Sequence, residues 1–243
     1  MRDDYGTTPR PAGELGGNLL KRIVVKVSGR LLSPPRADYL RSFREAVEEA
    51  RSYASLAIVC GGGPLARSYI EALRLLGVPE ALLDVVGIRV SRVNALALAL
   101  ALSPLSPPRV IESVEEAVEL TSRGLIPVLG GLQPGQSTNA VAVSVAEALR
   151  ADLVVNMLSG IDGIYMPPPG FEGSRRLDTI GYRELEDIIR SYPQLAGTYE
   201  LFDNVALRLA ERSNVKVLFV DGSDPRILAR IARGEKVEGT LLA

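Results

Sequence analysis

Leu56-Ala57-Ile58-Val59-Cys60-Gly61-Gly62-Gly63-Pro64 (residues 56–64) carries the grammar that decides the fold. A short apolar run rich in β-branched residues reads as a buried strand. It stops at three glycines, and the proline opens a helix over Pro64–Leu76, since proline is tolerated in a first helical turn. The same phrase stands on either side. Arg22–Val27 is a strand that runs into Ser28-Gly29, with an amphipathic helix after it over Asp38–Tyr53. Ile126–Leu129 is a strand that runs into Gly130-Gly131, followed by an alanine-rich helix over Asn139–Leu149. Further strands are expected over Leu153–Met157 and Val215–Val220. Helices are expected over Ile88–Leu102, Val114–Arg123, Tyr182–Tyr192, Phe202–Arg212 and Pro225–Arg233. Strand and helix alternate with no internal repeat, which implies an α/β fold around a mainly parallel sheet. Ligands of such sheets sit beyond the carboxyl ends of the strands, so the turns after Val27, Cys60 and Leu129 should open onto one crevice.

Composition narrows the chemistry. The 243 residues suffice for one large domain, and 47% hydrophobic residues supply a core. Residues 1–20 hold Gly, Pro and charges without an apolar run, and read as a loosely attached tail, not a secretory signal. Twenty-eight basic and 29 acidic side chains leave a net charge of −1, so no basic excess points to nucleic acid. No run reaches the length of a membrane span. There is no histidine, which removes Ser-His-Asp and Cys-His catalysis and histidine-based zinc sites. The single cysteine, Cys60, forms no intrachain disulfide and fits a reducing, cytoplasmic compartment. Phosphoryl transfer is the large reaction class that works with Lys, Arg, carboxylates, hydroxyls and backbone N–H groups alone.

The motifs fit that class. Gly61–Arg67 is neither the Rossmann fingerprint nor the Walker pattern, and by itself is equally a tight βα turn. Gly130-Gly131-Leu132-Gln133-Pro134-Gly135-Gln136-Ser137-Thr138-Asn139 says more. It is a long polar glycine-rich loop ending in two hydroxyls at a helix start, more than capping needs, and it favours anion binding. Lys26 stands in an otherwise apolar strand beside a glycine turn, where it is placed to meet phosphate oxygens. Asp84, Arg92 and Asn94 lie around an expected helix start; Arg89 reads as solvated, and Asp84 is either a helix-terminal carboxylate or a ribose ligand. Asp162-Gly163-Ile164-Tyr165 is a turn whose aromatic side chain is placed to cover a base, and Pro167–Ser174 is a lid or hairpin.

Taken in order, seven segments resemble the amino-acid kinase family, and within it the archaeal type of UMP kinase. They are Lys26-Val27-Ser28-Gly29, Gly61–Arg67, Asp84-x-x-Gly87-Ile88-x-x-Ser91-Arg92-x-Asn94, Gly130–Thr138, Asp162–Tyr165, Gly197–Asp203 and Glu238–Leu241. The resemblance implies a three-layer α/β/α domain over residues 21–243. Residues 21–150 would hold UMP and 151–243 ATP. It implies direct transfer from ATP to UMP with Mg²⁺ in pyrimidine nucleotide biosynthesis, and a homohexamer built as a trimer of dimers. Lys26 would stabilise the transferring phosphoryl group and Asp203 would orient it or the metal shell. Val27, Ser28, Gly29, Arg30, Gly63, Arg67, Ser159, Tyr165 and Pro168 would join Lys26 on ATP. UMP would fall to Gly62, Asp84, Gly131, Leu132, Gln133, Pro134, Gly135, Gln136, Ser137 and Thr138, with Asp84 on the ribose. No residue is assigned to hold the metal directly. The chain departs from the family at Pro167-Pro168-Pro169, where Ala-Asp-Pro is frequent, at Asn139, where many members have Asp, and at Gly160. Two other readings stand beside this one. A related kinase would act on isopentenyl phosphate, for which a histidine is expected, or on a carboxylate. A nucleotide- or oxyanion-binding protein would bind without transfer.

Overall fold

The computed structural model describes residues 22–191 and 202–243. The chain order is β1 (Arg22–Val27), α1 (Gly29–Leu32), α2 (Ala37–Ala50), β2 (Ser55–Cys60), α3 (Gly63–Leu75), α4 (Glu80–Ala101), α5 (Val114–Ser122) and β3 (Val128–Leu129). It continues with α6 (Thr138–Leu149), β4 (Leu153–Leu158), β5 (Tyr165–Met166), β6 (Arg175–Arg176), β7 (Thr179–Ile180), α7 (Tyr182–Ser191), α8 (Asn204–Ser213), β8 (Val217–Asp221), α9 (Ile227–Ala232) and β9 (Thr240–Leu242). Among the described residues one seven-stranded sheet runs β3-β2-β1-β4-β8-β9-β7, and β5 pairs with β6 as a separate hairpin. The first five strands in that order are parallel; β9 runs antiparallel to β8, and β7 runs parallel to β9.

Both faces of the sheet are covered, so the central strands read as continuous apolar runs. Alternation along β1 divides them. Ile23, Val25 and Val27 join Phe43, Val47, Leu98, Leu102 and Leu228 on the side of α2, α4 and α9. Val24 joins Val141, Val145, Ala206 and Phe219 on the side of α6 and α8. Lys26 is the next residue on that second side. It is 8% exposed, and in register it lies between Val59 of β2 and Asn156 of β4.

The expected elements lie where the sequence places them, within a few residues at their ends, with one consequential shift. Helix α4 begins at Glu80 and not near Ile88, so Asp84 is a residue of the second turn and not a helix-terminal carboxylate. Gly87 is carried inside the helix, against which only Ile70 would touch an added Cβ, at 3.4 Å. Residues 167–174 connect β5 to β6, which makes the expected lid or hairpin a hairpin. Tyr192 of the expected helix Tyr182–Tyr192, residues 1–21, and residues 197–201 of the family motif before Phe202 lie outside the described residues.

Candidate functional site

Three turns meet at the carboxyl ends of β1, β2 and β3. Ser28 N–H donates to Met157 O at 3.0 Å, and Gly61 N–H donates to Val27 O at 2.9 Å. Gly29, the first residue of α1, packs backbone to backbone against the second turn: a Cβ there would lie 2.1 Å from Gly63 N. Gly63 itself has φ +69°, a left-handed conformation that costs glycine little. Val27 is fully buried and Arg30 exposed, so Val27 offers the crevice only its backbone.

A cavity of about 380 Å³ opens beside these turns. It is lined by Gly62, Gly63 and Arg67 at the start of α3, by Asp84, Gly87, Ile88 and Ser91 of α4, and by Gly131, Gln136, Ser137 and Thr138. Thus Gly62, Asp84 and four of the eight loop residues expected on the acceptor come together. Leu132, Gln133, Pro134 and Gly135 form the outer part of the loop, held to α4 where Gly135 N–H donates to Asp84 Oδ2 at 2.8 Å. Gly63 and Arg67, expected toward the donor phosphates, line this same cavity, as do Ile70, Glu71 and Arg74.

Lys26 faces the helix side of this region. Two helices begin there with oxygen caps: Ser137 Oγ accepts from Ala140 N–H at 3.0 Å, and Asp203 Oδ1 accepts from Ala206 N–H at 3.0 Å. The Ser137 hydroxyl donates to Asp203 Oδ2, which ties α6 to α8. Asp203 is held in place from behind by Phe202, 2% exposed and edge-on to Phe219 with ring centroids 5.5 Å apart. Such a pair contributes about 0.5–1.5 kcal/mol beyond area burial. Asn156, the strand neighbour of Lys26, is 1% exposed and donates from Nδ2 to Asn139 Oδ1 at 3.4 Å. Lys26 is connected to the start of α6 through Asn156 and Asn139, and a buried cation near a helix N-terminus suits phosphate.

Of the expected donor-side residues, Ser159, Tyr165 and Pro168 do not line the cavity. Ser159 follows β4, next to Gly160, whose N–H donates to Asp221 Oδ1 at 3.1 Å at the end of β8. Tyr165 is half-buried, with its hydroxyl donating to Asp162 Oδ1 at 2.8 Å. Arg176 closes on the other oxygen of Asp162. Burial pushes the Asp162 carboxyl up, but the Tyr165 and Arg176 hydrogen bonds outweigh it and hold it below the usual range. Pro168 is buried in the hairpin loop, its carbonyl accepting from Phe171 N–H at 3.2 Å. Cys60 is fully buried, and burial pushes its thiol up, which leaves no thiolate for chemistry.

Several supporting residues were not singled out from sequence as ligands. Asn94 Nδ2 donates to Gly61 O at 2.8 Å and Gly62 O at 3.4 Å. Ser91 Oγ accepts from Gly131 N–H at 2.8 Å. Arg92 Nε donates to Gly131 O at 3.0 Å. Their spacing within α4 was visible as Ser91-Arg92-x-Asn94; their targets, 32 to 40 residues away, were not. Asn156 had a signal too, an amide inside an apolar strand.

Among the described residues no group of three metal-ligating side chains comes together. Asp203 and the Ser137 hydroxyl bonded to it would suit a Mg²⁺ that arrives on nucleotide phosphates with its other positions in water, not a dedicated protein cage.

Residues 21–221 match the model of the Amino acid kinase family. The chain is 48% identical to a uridylate kinase of Aeropyrum pernix over 225 residues, covering 90% of this chain and 100% of that one. It is 41% identical to a uridylate kinase of Hyperthermus butylicus over 222 residues, with coverage of 90% and 97%. The crystal structure of uridylate kinase from Archaeoglobus fulgidus superposes with a TM-score of 0.80 at 31% identity, covering 91% of this chain and all of that one.

Proposed function

From the premise that the chain belongs to the amino acid kinase family, we propose that it is a uridylate kinase, which transfers the γ-phosphoryl group of ATP to UMP in pyrimidine nucleotide biosynthesis. The observation that carries this reading is the cavity in which Asp84 and the Gly131–Thr138 loop meet the glycine turn of α3, beside Lys26 and the capped helix starts. It offers carboxylate, amide and hydroxyl groups for a nucleoside, with positive charge at one end for its phosphate.

The chemistry asks little of acid or base. The UMP phosphate is a dianion at neutral pH, so its oxygen attacks the γ-phosphorus directly. The bond from that phosphorus to the β,γ-bridging oxygen breaks, and UDP and ADP leave. The obstacle is bringing two polyanions together in line. Lys26 holds charge at the transferring group, where a preorganised cation in a dry site acts most strongly. Arg67 and the start of α6 attract the UMP phosphate. Asp203 fixes Ser137 and the first turn of α8, and would orient the water shell of a Mg²⁺ carried on the nucleotide. Mg²⁺ carried on ATP supplies further charge neutralisation.

Residues 21–150 form the acceptor half of the domain and 151–243 the donor half, with Ser159 and Tyr165 toward adenine. The protein works in the cytoplasm as a homohexamer. Exposed Leu65, Tyr69, Val93, Leu96 and Leu100 on α3 and α4 support an association surface. No helix among the described residues is long and apolar enough to cross a membrane.

A coupled assay with ATP, Mg²⁺ and each of UMP, CMP, dUMP and isopentenyl phosphate tests the reading. UMP is expected to be the preferred acceptor. Turnover favouring isopentenyl phosphate would place the chain with another kinase of the fold, and nucleotide binding without turnover would make it a binding protein. Within the site, Asp84→Asn is expected to raise the UMP KM by about tenfold with kcat little changed, as loss of ground-state binding does. An unchanged KM detaches Asp84 from the acceptor.

A further inference from the structure

Among the described residues four glycines line the cavity: Gly62, Gly63, Gly87 and Gly131. The protein itself explains three of them. An added Cβ would lie 2.6 Å from the Ala66 Cβ at Gly62, and 2.9 Å from Ile88 Cγ1 at Gly131. Gly63 has φ +69°, and a Cβ there would lie 2.4 Å from Gly29 C. Gly87 is different. It stands inside α4, is not among the glycines of positive φ, and an added Cβ would meet one atom within 4 Å, Ile70 Cδ1, at 3.4 Å. That is an ordinary van der Waals distance. Neither backbone conformation nor packing asks for glycine here, and glycine in a helix interior is disfavoured against alanine.

The missing side chain would point into the cavity. Asp84, Gly87, Ile88 and Ser91 stand at the i, i+3, i+4, i+7 spacing that puts residues on one helix face, and all four line the cavity. Ile70, which the added Cβ would touch, lines it as well. A methyl group on residue 87 would therefore take up cavity, not protein.

The place of Gly87 along that face says what the space holds. One turn before it stands Asp84, with Oδ2 accepting from Gly135 N–H at 2.8 Å. On the other side, the Gly87 carbonyl oxygen comes within 3.5 Å of where a Gly62 Cβ would be, at the turn that continues into Gly63 and Arg67. Gly87 thus lies between a carboxylate suited to sugar hydroxyls and a glycine turn suited to phosphate. In a nucleoside 5′-phosphate, what joins the ribose hydroxyls to the phosphate is the furanose ring. We infer that Gly87 is the residue that admits the acceptor's ribose, by letting the ring lie against bare helix backbone. The inference rests on the reading of this cavity as the UMP site. The helix gives up stability there for room.

The test is Gly87→Ala, read by its melting temperature, by the KM for UMP and for ATP, and by the Ki of methyl β-ribofuranoside 5-phosphate against UMP. That probe keeps the ring and the phosphate and lacks the base. The melting temperature is expected to rise by about 1–4 °C, from the helical preference for alanine. The UMP KM and the probe's Ki are expected to rise together by about tenfold or more, with the ATP KM unchanged. The double variant Gly87→Ala, Ile70→Val withdraws the one protein contact of the new methyl group, and the loss is expected to persist in it. An unchanged UMP KM, or a loss recovered in the double variant, would overturn the inference. So would a lowered melting temperature with both KM values raised alike, which would make this glycine a packing requirement. A loss on UMP with the probe unaffected, or a wild type that the probe does not inhibit, would take the space from the ribose and leave the kinase reading in place. A wild type that does not phosphorylate UMP would sink the reading of the cavity, and the inference with it.

Discussion

Lys26→Ala is expected to lower kcat by about 10²–10³-fold, the range seen when one preorganised electrostatic contact to a developing charge is removed. The UMP KM should move by less than about threefold, because an interaction made in the transition state alone lowers kcat without touching ground-state binding. The position argues for this size of effect. Lys26 is 8% exposed at the next-to-last position of a central sheet strand, with apolar Val24 and Val25 before it. A cation so placed is costly to desolvate, and its retention asks for an anionic partner in the working state. Lys26→Met keeps the apolar stem and removes the charge. If the lysine only filled space between Val59 and Asn156, the methionine variant would recover turnover; if its charge acts on the phosphoryl group, both variants are equally slow. Steady-state kinetics on both substrates, with melting curves to confirm folding, decide between these. Wild-type turnover in either variant removes Lys26 from the mechanism.

The parts of this molecule legible in its sequence are those that local physics dictates. β1, β2 and β4 are apolar runs buried on both faces, and each is bounded by a glycine turn or by a helix end, so pattern alone places them. The glycine turns after β1, β2 and β3 also announce the crevice. β9 and β7 were missed because three and two residues carry no period; they are strands only because β8 and each other supply partners. The start of α4 was placed too late because Gly87 interrupts the apolar run that begins at Leu82, although Leu82, Val85 and Val86 stand at helical spacing; Leu82 and Val85 are exposed on the final surface. The supporting contacts were beyond reach for a different reason. Asn94, Ser91 and Arg92 each bond to backbone far along the chain, and nothing local distinguishes such a residue from a solvated one until the helix is docked. Asp203 illustrates both sides: its identity came from a motif, while its bond to Ser137 came only from the meeting of α6 and α8.

Gly29→Ala is expected to abolish measurable phosphoryl transfer, a loss of at least about 10²-fold in kcat, since a shift of about 1 Å in the reacting geometry has that cost. An added Cβ would lie 2.1 Å from Gly63 N, 2.6 Å from Gly61 O and 2.6 Å from Gly62 C, all backbone atoms. No side chain can swing aside, so the two turns must separate. Neither turn is free to do so at low cost: Gly61 N–H is bonded to Val27 O, and Asn94 holds the carbonyls of Gly61 and Gly62. Overpacking of this kind costs about 1–3 kcal/mol, which for a domain of this size lowers the melting temperature by several degrees, at about 2–4 °C per kcal/mol. Gly77→Ala separates crowding from general strain. Gly77 has φ +75° but an added Cβ there meets nothing within 4 Å. It should cost about 1–2 kcal/mol from its left-handed backbone and leave kcat unchanged. The two variants are thus expected to lose similar stability and very different activity. Parallel melting curves and turnover measurements check this, and a Gly29→Ala enzyme with near-normal kcat would show that the contact of the β1 and β2 turns does not set the geometry of transfer.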